Sequence, residues 1–588
     1  MKNKTKQQLF LLLTTLAVGT LLAACSSKGS QSQTGTKVDK AKEEKIEDMQ
    51  LRDNDSLYAN RDDTSVVTMY LTVRRGNSSE GTDHSWQEIN GLSAYDYERM
   101  GVDRYKVAGL LQVGDDNGPQ AGQFGFDEAV PNATVQVRGQ SSSKGKQKNY
   151  KIKIKKTKGK WEGQRTINLN KHVYEGLRFR NKLAYDLLEG IPQIMSLRTQ
   201  FVHLYVKDET GDGQATFQDY GLYTQVEQLN KTALEAHGLD RNANLYKVNN
   251  FEFRQEEDKI VKEDDAKFDK KKFEELLEIK GDHDHTKLVN TLKRVNDPSV
   301  SADDLLKKDF DAENIQYWMA FQILMGNIDT KNRNMYLYSP QLSSKWYILP
   351  WDNDAVFLKT EREYLGDDKD SGNSWEVGVS NYWGNILFQR LLKSDKFREG
   401  LNKAVNDLKQ YLTEDRINEM SRKYASVVQP YLAKMPDEAH ARLTPPKYEE
   451  VLNRLPKEVE RNYQAYVDSL HKPQPFFISD PTIENGKMHL AWETAYDFSN
   501  KDVSYHLEVA KDYNFNDKVL DQDNLRSLTF DTDTLPKGQY FIRITATNSD
   551  GASQRAFDTY FADSSKFYGI KSFYVLEDGK IGADNYVD

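Results

Sequence analysis

Two neighbouring stretches decide the reading: GNIDTKNRNMYLY, Gly326 to Tyr338, and KWYILPWDND, Lys345 to Asp354. The first sets Asp329 five residues before Asn334, and the second returns Asp352 and Asp354 behind an apolar strand. Just upstream, AENIQYWMAFQILMGN reads as a strongly apolar helix that delivers Asp329 at its C-terminal end. The bland reading is a loop between a helix and a hairpin. The chemical one is a site that holds a metal–nucleotide and a hydroxyl together.

Phosphoryl transfer from ATP needs a cradle of N–H groups and positive charge for the phosphates. It needs oxygen ligands for one or two divalent cations, and a carboxylate to orient the acceptor hydroxyl and take its proton. Protein kinases meet the last two needs with a D-x-x-x-x-N loop and a later Asp beyond a short hairpin. Here Asp329 suits the base, and Asn334 and Asp352 suit the metal (Mg2+ or Mn2+). Asp354 adds a ligand or orients one.

The cradle is sought in VRGQSSSKGKQKNYKIKIKKTKGK, read as a β-hairpin around Ser141, Ser142, Ser143, Lys144 and Gly145. Nine lysines and no acid lie between Lys144 and Lys160, in a chain of net charge −9. Tyr150, Ile152 and Ile154 alternate with Lys151, Lys153 and Lys155, so one face of the second strand is basic. Lys153 follows Ile152 as the nucleotide-binding lysine of protein kinases follows its isoleucine, and Lys151 is a near rival. A lysine-rich hairpin also serves simply as a protected edge, or as a site for an anionic polymer.

The chain has 588 residues, too many for one core. The net negative charge argues against general nucleic-acid binding. The lone cysteine, Cys25, excludes an intrachain disulfide. Residues 1–24 carry three lysines, an apolar run and then small residues, the pattern of an export signal. Leu22-Ala23-Ala24-Cys25 matches the lipobox at which such signals are cleaved and the thiol is lipidated. Two acyl chains on Cys25 give stable anchoring, on the extracellular face of a bacterial cell membrane. Residues 25–60, rich in Ser, Gly, Gln, Lys and Glu, read as a flexible tether.

Strand signals begin near Ser65 with SVVTMYLTV and recur at RYKVAGLLQVG, NATVQVRG, TQFVHLYVKDE and QDYGLYTQVEQLN. GLRFRNKLAYDLLEGI is helical, residues 254–296 read as a solvated helical insertion, and helices return over 381–470. In that insertion, the histidines of GDHDH read as exposed rather than metal-binding. After HKPQPFF the pattern changes to short strands and turns.

The order of VRGQSSSKGKQKNYKIKIK, LRFRNKLAYDLL, GLYTQVEQLNKTAL, GNIDTKNRNMYLY, WYILPWDND and NYWGNILFQRLLKSDKFRE resembles the spore coat protein H (CotH) kinase family over about residues 65–465. The resemblance implies an α+β, atypical protein-kinase-like fold. It implies ATP and magnesium as cofactors, and transfer of phosphate to Ser or Thr of secreted or surface proteins. Asp329 matches the family's catalytic aspartate, Asp352 its metal-binding aspartate and Asn334 its catalytic-loop asparagine. The hairpin serines and Lys153 fall where its nucleotide contacts lie, and Glu227 falls on a strand at the adenine pocket. Glu175 and Glu189 are candidates for the glutamate that pairs with the lysine. Residues 473–563 resemble a fibronectin type III domain, a small β-sandwich, with Trp492 on a strand and Tyr540 at a tyrosine corner.

The expected domains are therefore a signal (1–24), a tether (25–60), a kinase-like domain (61–472), the sandwich (473–563) and a tail (564–588). Two other functions compete: a surface binding protein or adhesin on a kinase-like scaffold, and transfer of phosphate or a nucleotide to another acceptor.

Overall fold

The computed structural model describes residues 51–583 except residues 60, 213, 214 and 564. The export signal, Cys25 and most of the expected tether lie outside the described residues. The tether does not reach residue 60. Leu51 is buried against the main core, Asp53 accepts from the Ser196 N–H at 3.0 Å, and Tyr58 donates to Asp53 at 2.6 Å. Composition marked this segment as solvated because its two decisive residues have their partners about 140 residues or more downstream.

Order then passes into a closed barrel. Its strands are β1 (Val66–Arg74), β2 (Val107–Asp115) with the short β3 (Gly118–Pro119) beside it, β4 (Ala133–Arg138), β5 (Asn149–Ile154), β6 (Thr166–Asn170), β7 (Thr199–Asp208) and β8 (Gln218–Glu227). Spatially they run β1-β7-β8-β6-β5-β4-β2, and β2 pairs again with β1 to close the ring. The β1–β7 pair is parallel and the other pairs of the ring are antiparallel. Alternation fills the interior with Met69, Leu71 and Val73, Val135 and Val137, and Tyr150 and Ile152. The same alternation turns Gln136, Arg138, Lys151 and Lys153 outward.

A helical body packs beside the barrel around its own core. The helix Ala312–Leu324 starts at Asp311, whose carboxylate accepts the Asn314 N–H at 2.8 Å. Its apolar residues lie on every side, and every residue from Tyr317 to Leu324 is buried. Gly326, at φ +60°, turns the chain out of the helix. A four-stranded sheet lies in the body, made of β9 (Asn244–Val248), β10 (Leu277–Ile279), β11 (Met335–Ser339) and β12 (Tyr347–Pro350), in the order β10-β9-β11-β12. β10 comes from the expected solvated insertion, which thus supplies a strand as well as helices. Its His285 is buried and bonded to the Tyr246 hydroxyl at 2.7 Å.

From Phe476 onward two antiparallel sheets share one core. One holds Thr482–Glu484, Lys487–Ala491 and Thr529–Asp533, and the other is built around Val503–Ala510 and Gly538–Asn548. Met488, Leu490, Trp492, Leu507, Ile542 and Phe573 meet between them. The Tyr540 hydroxyl donates to the Pro536 carbonyl at 2.8 Å. The expected tail is part of this unit: Ile570–Val575 pairs with Gly538–Asn548, and Ser565–Tyr568 forms a hairpin with Thr559–Ala562. Its aromatic and β-branched residues alternate too briefly to stand out from a loose end. Phe557 and Tyr568 enter the core of the helical body. Among the described residues no helix is long and apolar enough to cross a membrane.

Candidate active site

A cleft of about 1230 Å³ runs between the barrel and the helical body. Its floor is the pair of stretches that opened the sequence reading. Met335 pairs with Pro350 in the β11–β12 hairpin. Asn334 immediately precedes the first strand, and Asp352 follows the second by two residues, so the hairpin delivers both to one end. Both residues take left-handed backbone, φ +57° and +51°, which Asn and Asp tolerate best among non-glycine residues. Asp329 accepts from the Asn334 side-chain amide at 2.8 Å and from Arg333 Nε at 2.8 Å. That contact engages the amide nitrogen of Asn334 and leaves its oxygen for a cation.

The floor is held from beneath by buried amides. Asn353 Oδ1 accepts from Gln322 at 3.1 Å and from Asn327 at 3.3 Å, and Asn327 also donates to Gln322 at 2.9 Å. The Asn327 carbonyl oxygen of the side chain accepts the Asp329 N–H at 3.3 Å. On the other side, Asn181 and Tyr185 stand four residues apart on the helix Arg180–Leu188. They accept the N–H groups of Asn353 and Asp352, each at 3.1 Å. Thus the Asp329 loop and the Asp352 loop are locked to each other through side chains that never face solvent.

The electrostatics of floor and roof are complementary. Asp352 is pushed up to about 6, by burial first and then by Asp354. Asp354, only half-buried in the cleft, is pushed up to about 6, by desolvation first and then by Asp329. No lysine or arginine among the described residues lies within 4 Å of Asp352 or Asp354; the nearest basic group is the His172 ring, 3.9 Å from Asp354. In the roof, burial first and then Lys280 and Arg138 push Lys151 down to about 8. The Arg138 guanidinium lies 5.9 Å over the Trp351 ring and donates to Asn170. Neither Lys151 nor Arg138 has an ion-pair partner among the described residues. Unneutralised carboxylates below and unneutralised cations above fit a divalent cation carrying a polyphosphate.

The structure brings Asp329, Asn334, Asp352, Asp354, Ser141, Ser142 and Lys151 to this one cleft. It separates three other expected nucleotide contacts. Lys153 is on the same strand face as Lys151 but is exposed and lies outside the cleft lining. Ser143 is buried, accepting the Ala94 N–H at 2.8 Å and donating to the Gln140 carbonyl at 2.5 Å. Glu227 is buried at the barrel's end, where it pairs with Arg198 at 2.5 Å and His237 at 2.9 Å. The next residue, Gln228, takes the cleft position instead and donates to the Tyr336 hydroxyl at 3.3 Å. Neither glutamate candidate reaches a hairpin lysine. Glu175 lines the cleft but pairs with Arg180 at 2.7 Å, and Glu189 pairs with Arg61 at 2.6 Å.

The family described as CotH kinase protein matches residues 135–466. The chain belongs to this family. No curated protein matches it. The match begins inside β4 and ends within the helix Glu458–Leu470, so it holds the whole cleft floor and leaves β1 and β2 outside.

Several residues of this cleft were not singled out from sequence. Arg138 stands at the start of the R-G-x-S-S loop, and strand parity with Gln136 was its signal. Lys247, Glu278 and Lys280 form a cleft wall in which Glu278 bridges the two lysines at 3.0 and 2.6 Å. Two of the three come from the charged insertion, whose composition resembles any solvated surface.

Proposed function

We propose that this protein is a lipid-anchored, extracellular kinase that moves the γ-phosphoryl group of ATP to Ser or Thr of a surface or secreted protein. The observation that carries this reading is the meeting of Asp329, Asn334 and Asp352 on one floor, beneath the unpaired cations Arg138 and Lys151. Asp329 accepts the proton of the acceptor hydroxyl as its oxygen attacks phosphorus, and Arg333 and Asn334 keep its carboxylate oriented. Asn334 and Asp352 would hold magnesium or manganese, with Asp354 beside them. When bound, the cation neutralises charge on the transferred phosphate. Arg138, Lys151 and the N–H groups around Ser141 and Ser142 receive the remaining phosphates. The lipobox at Cys25 supports the membrane location, and the Tyr540–Pro536 bond supports a fibronectin type III-like reading of the C-terminal sheets.

The test uses the full chain with γ-labelled ATP and magnesium, beside Asp329→Ala and Asp352→Ala. Label on a Ser-containing acceptor that disappears in both variants is the expected result. Absence of both transfer and nucleotide binding in the unaltered chain would refute the reading and favour a surface binding protein.

A further inference from the structure

The C-terminal unit lies outside the family match, yet its hairpin reaches the active cleft. Phe561 and Lys566 are cross-strand partners, so their side chains leave one face of the hairpin, and both line the cleft. The hairpin is fixed there by a shared anchor. Glu376, buried in the body, takes Tyr568 Oη at 2.8 Å, Lys566 at 3.4 Å and Lys331 at 3.1 Å. Lys331 is two residues beyond Asp329. The Tyr568 N–H donates to Asp370 at 2.8 Å, and Trp375 donates to the Phe557 carbonyl at 3.1 Å with the rings 5.0 Å apart. A module that merely spaced the catalytic domain would not need this contact with the loop that carries Asp329.

The two ends of the loop have different neighbours. Asn334 leads into β11, whose Tyr336 pairs with Lys247, itself bound to Glu278. Lys331 is bound to Glu376, which also holds the hairpin. In-line displacement brings the acceptor oxygen to phosphorus from the side opposite the leaving nucleotide. With the phosphates under Arg138 and Lys151, the end of the loop at Lys331, away from β11, is left for the acceptor.

We infer that the C-terminal hairpin forms the acceptor-binding wall of the active cleft, and that a polypeptide segment bearing the target hydroxyl passes between Phe561 and the Arg362–Asp368 segment. This rests on the kinase reading above. Phe561 keeps 43% of its surface exposed although it lines the cleft, so an apolar side chain of the acceptor gains by covering it. That segment, which lines the same cleft, offers Arg362, Asp367 and Asp368. Both signs of charge and one open aromatic ring suit a polypeptide better than a neutral or uniformly anionic polymer.

The experiment measures ADP release and peptide label together, using the full chain, ATP, magnesium and a degenerate peptide mixture with a fixed central Ser. Phe561→Ala should raise the peptide KM about tenfold and leave the ATP KM within about twofold. Phe561→Tyr should restore the peptide KM. Tyr568→Phe, which removes the shorter of the hairpin's two bonds to Glu376, should raise the peptide KM in the same direction. Transfer with a peptide KM unchanged in both Phe561→Ala and Tyr568→Phe would overturn the acceptor wall and leave the kinase reading standing. ADP release without peptide label, or label only on an added wall glycan, would overturn it as well. Neither ADP release nor label would remove the kinase reading and the acceptor wall together.

Discussion

Glu227 separates a nucleotide contact from a structural ion, and the two roles predict opposite results. Its carboxylate meets His237 Nε2, whose other ring nitrogen lies 2.6 Å from Asp53, and the imidazole is fully buried. Burial alone would lower the His237 pKa, but the bonds to Asp53 and Glu227 hold it up at about 9 from an ordinary 6.5. Burial alone would raise Glu227, but His237 and Arg198 hold it down at about 2 from an ordinary 4.5. Either displacement corresponds to roughly 3 kcal/mol, at about 1.4 kcal/mol per pH unit. The two describe one set of contacts, so they are not added. The histidine contribution is fully present below pH 6.5 and is lost as pH rises through 9. The glutamate contribution is present above 4.5 and is lost as pH falls toward 2. His237→Gln should therefore lower the calorimetric Tm by a few degrees at pH 6, and the gap should narrow by pH 10. Glu227→Gln should lower Tm at pH 6 and leave ATP affinity within about twofold. A Tm gap for His237→Gln that is equal at pH 6 and pH 10 would refute the buried-imidazolium account. Unchanged Tm with much weaker ATP binding in Glu227→Gln would return that residue to the nucleotide.

Three further outcomes follow from the same geometry. Lys151→Ala should raise the ATP KM by about tenfold or more, whereas Lys153→Ala should change it less than about twofold; initial rates against ATP distinguish them. Asn353→Ala leaves the Gln322 and Asn327 amides without their shared acceptor, and should cost about 1–3 kcal/mol in thermal unfolding while lowering kcat. Arg180→Met removes the guanidinium 2.7 Å from both buried carboxylates Glu175 and Glu361, leaving Glu361 with Arg442 and Glu175 without its ion-pair partner, and should destabilise by about 3–5 kcal/mol, read as a lowered Tm and lowered soluble yield.

Local pattern carried much of the architecture. The alternation in NYKIKI foretold which face of β5 is basic, and the apolar helix before Asp329 and the hairpin before Asp352 were legible from period and composition. Residues whose meaning depends on a distant partner were not. Nothing near Glu227 announces His237 and Asp53. Nothing near Lys151 and Lys153 says that the first shares a cleft with Lys280 and the second lies in water. The same holds for Glu376, which is one acid among many until Tyr568 reaches it from 192 residues away. Sequence alternation also gives strands without their order, and so it was silent on the closure of the barrel through β1.

That closure bears on how the chain can be cut. β1 is the keystone of the ring, hydrogen-bonded to β2 on one flank and to β7 on the other. A fragment trimmed to residues 135–466 would begin two residues into β4, losing both β1 and β2. β4 and β7 would then carry raw edges, and the apolar lining of the ring would open to water. The same cut would strip away the hairpin that Glu376 anchors. The limits of the family match and the cooperative boundaries of the folded body are drawn in different places here, and an expression clone should respect the second.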